Sequence, residues 1–243
     1  MARSLVFLTL LLLGLPVFAQ ETIGPGHPDI DTSGFVADEN NFVIHVKQGA
    51  MEQEFGSVRF SFSLDEEAGL LEGIRAYDMM GQKMADTLVV SWPSLAAVSH
   101  VSDNGQRVLR FSVADGMISG TRTTRGAAPV TFGMSSDGPF LDAAWMSIIA
   151  SMLPLADGYT VTVRAFEDDE SGLGDFALAV SGPAELVLHG GQKLSAWEVA
   201  STSPGGETVR YFLNATNRSL ARVLMTPQPG IEVFIDLELE ETK

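Results

Sequence analysis

Ile231-Glu232-Val233-Phe234-Ile235-Asp236-Leu237-Glu238-Leu239-Glu240 decides the fold class of this 243-residue chain. Ile231, Val233, Ile235, Leu237 and Leu239 take alternate positions, and Glu232, Asp236, Glu238 and Glu240 lie between them. Side chains of a strand point to opposite faces in turn, so this stretch has one apolar face and one wet face. The same period recurs upstream. Phe42, Ile44 and Val46 alternate with Val43, His45 and Lys47, and Val58, Phe60, Phe62 and Leu64 with Arg59, Ser61 and Ser63. It returns at Leu109, Phe111 and Val113, at Tyr159, Val161, Val163 and Ala165, and at Val209, Tyr211 and Leu213. Antiparallel sheets covered on one face have this pattern, whereas parallel sheets buried on both faces do not.

Turn residues divide these segments. Asp103-Asn104-Gly105, Asp115-Gly116, Asp157-Gly158, Gly190-Gly191 and Pro204-Gly205-Gly206 tolerate positive φ and predict links between antiparallel neighbours. One segment departs from period two. Between Pro139 and Pro154, residues Phe140, Leu141, Ala144, Trp145, Ile148, Ile149 and Met152 recur at three and four, which predicts a helix over 140–153. The expected architecture is mainly β, a curved antiparallel sheet or half-open barrel wrapped around that helix. Residues 65–73 and 77–85 have mixed spacing that leaves short helical turns open. Residues 20–34, with Gly24-Pro25-Gly26-His27-Pro28, have no period and read as a flexible leader. Residues 35–240 then form one β-domain, or two lobes at 35–135 and 156–240.

The first nineteen residues read as a secretory signal: Arg3, an apolar run from Leu5 to Leu13, a Gly14–Pro16 break and Ala19 at the cleavage position. Export to the periplasm or beyond is the expectation, with no transmembrane segment in the mature chain. No cysteine is present, so disulfides, thiol chemistry and a lipoprotein anchor are excluded. With 15 basic and 31 acidic residues, the formal net charge is −16. Such a surface repels phosphate backbones and anionic headgroups, which argues against nucleic acid as a partner.

Catalytic patterns do not assemble. A serine hydrolase needs a strained G-x-S-x-G elbow; Gly133-Met134-Ser135-Ser136-Asp137-Gly138 has its second glycine one residue late. His27, His45, His100 and His189 are scattered without H-E-x-x-H. His45 shares its face with Lys47 and reads as solvated; His189, beside Gly190, reads as a turn residue. The acidic run Glu167-Asp168-Asp169-Glu170, with Asp175 beyond it, lacks the spacing of a calcium loop and reads as a solvated connection. No catalytic residue, metal or cofactor is assigned.

From Pro139-Phe140-Leu141-Asp142 onward the order of features is distinctive. Leu153-Pro154-Leu155-Ala156-Asp157-Gly158 leaves the helix. Val180-Ser181-Gly182-Pro183-Ala184-Glu185-Leu186-Val187, Gly190-Gly191, Ala196-Trp197-Glu198-Val199 and Tyr211-Phe212-Leu213 follow, with a strand ending at Gly230. Over about 100 residues this resembles the bacterial exported family of domain of unknown function 3108, DUF3108. Here Pro183-Ala184 separates Gly182 from Glu185, a wider spacing than the family's glycine–glutamate motif. The resemblance implies a half-open β-barrel on a helix, similar to periplasmic lipoprotein carriers, with no established activity. Met79, Met80, Met84, Met146 and Met152 are flexible enough to line an adaptable pocket for acyl chains. The expected function is non-enzymatic binding, by a monomer, of a lipid or acyl ligand or a cell-envelope protein. Phe140, Trp145, Ile149, Met152 and Trp197 are the candidate ligand-binding residues. A hydrolase assembled only in three dimensions and a module docking through a sheet edge are the alternatives.

Overall fold

The computed structural model describes residues 21–167 and 172–238. Residues 1–20, on which the expected signal segment falls, and residues 168–171 and 239–243 lie outside the described residues. Strands follow the alternating segments: β1 (Thr22–Ile23), β2 (Glu39–Gln48), β3 (Met51–Asp65), β4 (Leu70–Met79), β5 (Gln82–Ser91), β6 (Ala97–Asp103), β7 (Arg107–Ala114), β8 (Met117–Thr124) and β9 (Val130–Ser135). After the short β10 (Leu141–Asp142) come a 3₁₀ turn (Ala143–Trp145) and helix α1 (Met146–Met152). Then follow β11 (Thr160–Glu167), β12 (Gly172–Val187), β13 (Lys193–Thr202), β14 (Thr208–Asn214), β15 (Leu220–Gln228) and β16 (Ile231–Leu237).

All the strands belong to one sheet. It runs from β11 through β16, crosses to β2 by antiparallel pairing of Ile235 with Ile44, and continues in sequence order to β9. The join between the two halves of the chain is thus a ladder of backbone hydrogen bonds. The sheet is strongly curved but unclosed. β1 and β10 lie end to end on the far side of β11, both parallel to it, and cover that edge. β9 is the other terminal strand.

The concave face carries the main core. Phe42, Val58, Leu71 and Leu88 from one half meet Val163, Leu178, Val199, Leu213 and Ile235 from the other, with Ile149 and Trp145 in the middle. α1 rests against β14 and β15. A smaller core of Leu109, Phe111, Ile118, Phe140 and Phe166 fills the wall near β7 and β8. Trp145 lies over Gly73, where an added Cβ would fall 2.9 Å from the indole Cζ2; the glycine makes room for the ring. The central helix is shorter than its apolar spacing predicts. Leu141 and Asp142 pair with Ala165 and Phe166 of β11 instead, and the Asp142 carboxylate accepts from the Ala144 amide at 2.9 Å to start the 3₁₀ turn.

Three further expectations are corrected. Residues 21–34 are no loose leader: Ile23 and Ile30 are buried, β1 pairs with β11, and Tyr159 donates to Asp29 at 2.7 Å. Residues 65–73 and 77–85 hold no helical turn but belong to the β3–β4 and β4–β5 hairpins. Their alternation is masked because Leu70, Ile74 and Ala76, on the outward side, are apolar too. Asp157-Gly158 joins the helix to β11 and is not a hairpin turn. Asp115-Gly116 does fulfil that role, with φ of 51° and 72° between β7 and β8.

The wide glycine–glutamate spacing has a structural cause. The β12–β13 register shifts between Ser181 and Ala184, leaving Gly182 and Pro183 in a bulge opposite Trp197. Proline, which has no N–H to give to a ladder, is tolerated at such a point. The Gly182 amide donates to the Asp157 carboxylate at 2.8 Å, so the segment leaving the helix and the bulge hold each other.

Candidate functional site

Between helix and sheet, at one mouth of the half-barrel, lies a cleft of about 440 Å³. Phe42 of β2 and Phe60 and Phe62 of β3 form one wall, Ile148 and Met152 of α1 another, and Leu220 of β15 a third. These positions follow from the two periods: strand residues alternate inward, and helix residues four apart share a face. Residues 31–38 strap the mouth. The Asp31 amide donates to the carbonyl of Met152 at 2.9 Å, and the Phe62 amide to that of Asp38 at 3.0 Å. Between these anchors Phe35 sets its ring edge-on to Phe62, centroids 5.5 Å apart, and against Trp92 at 5.4 Å.

The rim is polar. Asp31, Asp38, Ser147, Ser151, Asn217 and Arg218 line it. The Asp31 carboxyl is held below the usual carboxylate range by the Ser33 hydroxyl and amide, with a smaller contribution from Arg218. A general acid needs the opposite shift. The Asp38 carboxylate accepts from Asn40 at 2.9 Å. Among the described residues the nearest thing to a catalytic dyad is buried elsewhere: His100 donates to Asp142 at 3.0 Å, and its Nε2 has no hydrogen-bond partner. No hydroxyl among the described residues hydrogen-bonds that Nε2, and the second Asp142 oxygen caps the 3₁₀ turn. Ser136 is buried, and its hydroxyl donates to the Gly116 carbonyl at 3.1 Å.

Of the residues picked from the sequence, Met152 lines the cleft. Trp145 and Ile149 lie behind it in the main core, and Trp197 packs on that core from β13. Phe140 is in the smaller core against Phe166, centroids 6.0 Å apart, away from the other four. Met146 is buried, whereas Met80 is exposed at the β4–β5 turn. Sequence reading missed the strap, which has no period, and the Asn217–Leu220 rim. Phe62 and Ile148 were legible as inward positions but not as neighbours.

A second cluster sits on the convex face. His45, expected in solvent, is 1% exposed, because the His189 loop covers it; the two rings stack at 3.7 Å and 23°. Burial lowers the His45 pKa, His189 adds to that, and Asp236, Glu52 and Glu54 oppose it. Neither ring nitrogen has a hydrogen-bond partner among the described residues. His189 donates from Nδ1 to Glu52 at 3.0 Å and from its amide to Asp236 at 2.8 Å.

The family described as "Protein of unknown function (DUF3108)" matches residues 38–238. This chain belongs to the DUF3108 family. The match takes in β2–β9 as well as the later segment that carried the resemblance, so the family pattern covers nearly the whole sheet. A crystal structure of a beta-barrel-like protein of domain of unknown function DUF1849 from Brucella abortus is also similar. It covers 84% of this chain and 98% of its own at 12% identity, with a TM-score of 0.49. No curated protein matches the chain. Among the described residues, no helix is long and apolar enough to cross a membrane.

Proposed function

We propose that this protein is an exported, non-enzymatic binding protein that holds an apolar chain in the cleft between α1 and the sheet. The observation that carries the reading is the wall of Phe42, Phe60, Phe62, Ile148, Met152 and Leu220 around about 440 Å³ with a polar rim. Ligand pockets of about 300–1,000 Å³ are typically apolar inside with a few polar groups at the entrance. An acyl chain fits that chemistry: methylenes against the phenylalanines, the polar head at the Asn217–Arg218 rim. The −16 charge and the signal-like first nineteen residues support work in the envelope away from nucleic acid.

The mature chain is to be titrated with a fluorescent fatty acid, with unlabelled palmitate as competitor. Saturable, competable binding is expected. Ser151→Trp fills the cleft from the helix side and should weaken binding by more than about tenfold, equivalent to about 1.4 kcal/mol. Absence of saturable binding, or equal binding by the variant, overturns the reading. A second reading, docking through a sheet edge, draws on β9, whose outer edge pairs with no strand among the described residues and whose Val130 is exposed. A pull-down from envelope extract that is lost in a β9 Thr131→Pro variant supports that version.

A further inference from the structure

We propose that His45, Glu52 and His189 form a binding site for a divalent d-block cation of the zinc type, where the tip of the β12–β13 hairpin crosses β2 and β3. One donor atom from each residue lies within 4.8 Å of the others. Two imidazoles and a carboxylate are a donor set that suits zinc and its neighbours and does not suit magnesium or calcium, which prefer oxygen alone.

The independent observation is His45 itself. Its ring is 1% exposed, and neither nitrogen has a hydrogen-bond partner among the described residues. A buried polar group in that state is costly, and structures normally give it a partner. The covering groups are His189 and Glu52, with side chains 53% and 43% exposed, so an ion can arrive between them from solvent. The surroundings favour a cation. Glu54 is the cross-strand partner of His45, the nearby Arg222 is neutralised by Asp236, and Lys47 is paired with Glu232 at 3.4 Å.

Metal–ligand bonds of about 2.0–2.2 Å in a tetrahedron place donor atoms about 3.3–3.6 Å apart. The donors must therefore close in from the observed spacing, and the rings must leave their parallel stack. His45 is fixed by packing, so the movement falls to the exposed His189 and Glu52, whose mutual hydrogen bond gives way to coordination. Residues Glu52 and His189 are 137 apart in sequence, so the bound ion would cross-link the hairpin tip to the opposite half of the sheet. None of the three residues lines the acyl cleft, so the site stands independently of the binding function.

The test uses the mature chain without an oligohistidine tag, titrated calorimetrically with zinc chloride and separately with magnesium chloride. One zinc ion per chain and no magnesium binding are expected, with a thermal midpoint raised by zinc. His189→Ala keeps the amide that bonds Asp236 and leaves an exposed turn, so the fold is retained. It should weaken zinc binding more than about tenfold and abolish the thermal shift, and Glu52→Gln should weaken it in the same direction. His27→Ala, at the separate surface pair with Glu21, should bind as the parent does. No zinc binding by the parent at micromolar metal, or undiminished binding by His189→Ala, overturns the proposal.

Discussion

Gly73 shows how one residue without a side chain shapes the interior. A Cβ there would come within 2.9 Å of Trp145 and 3.0 Å of Phe62, both held by their own neighbours. Gly73→Ala should cost about 1–3 kcal/mol by overpacking, read as a lower urea midpoint with an unchanged slope. Tyr159 acts at longer range. Its hydroxyl donates to Asp29, 130 residues earlier, and burial first, then that carboxylate, raises the phenol pKa well above its ordinary value. Tyr159→Phe should lower stability by about 1.5–3 kcal/mol, the range for a hydrogen bond to a charged group. Hydrogen exchange should quicken first in residues 21–38, since this bond helps hold the segment that straps the cleft. Neither role was readable in advance. Gly73 sits in a stretch of mixed spacing, and Tyr159 reads in the sequence as one more apolar position of the alternation that continues through Val161, Val163 and Ala165.

At the scale of elements, the β12–β13 hairpin extends past the sheet and folds its far end over the convex face. Leu186, Leu188, Ala196 and Ala221 form a small core beneath it, and Arg222 clamps Asp236 with two guanidinium hydrogen bonds while also donating to the Val187 carbonyl. Asp236 reads from the sequence as a wet-face residue, yet it is 3% exposed. Arg222→Ala leaves that carboxylate buried with the His189 amide as its remaining partner. A loss of about 3–5 kcal/mol is expected in thermal unfolding, the cost of breaking one side of a buried pair. The double replacement of Arg222 and Asp236 by apolar residues should recover much of it. The helix makes a related point. Its apolar spacing was visible over 140–153, but Leu141 and Asp142 went to β11 because a sheet edge offered hydrogen bonds that a helical first turn leaves unmade.

For the whole molecule, the division of the core predicts the order in which it opens. The main core draws on β11–β16, β2–β5 and the helix, whereas β7–β9 rest on the smaller one and end at the terminal strand. Amides of β8 and β9 should exchange before those of β2, β14 and β16, and comparable protection across both groups would contradict a two-part core. Much of the architecture was legible in order: alternation at Phe42–Val46, Leu109–Val113 and Ile231–Leu237 placed strands correctly, and the expected helix fell on the concave side. The cleft and the histidine cluster were not legible. The cleft needs residues 31–38 beside Met152 and Leu220, and the cluster needs His45 beneath His189; neither pattern has a period. The sequence by itself determined what is local, the alternation that commits each segment to a strand and the apolar face that commits one to a helix, because backbone geometry repeats every two or 3.6 residues. Only the tertiary structure decided which distant segments meet, because the curvature of the sheet and its crossing from β16 to β2 are set by packing over the entire chain.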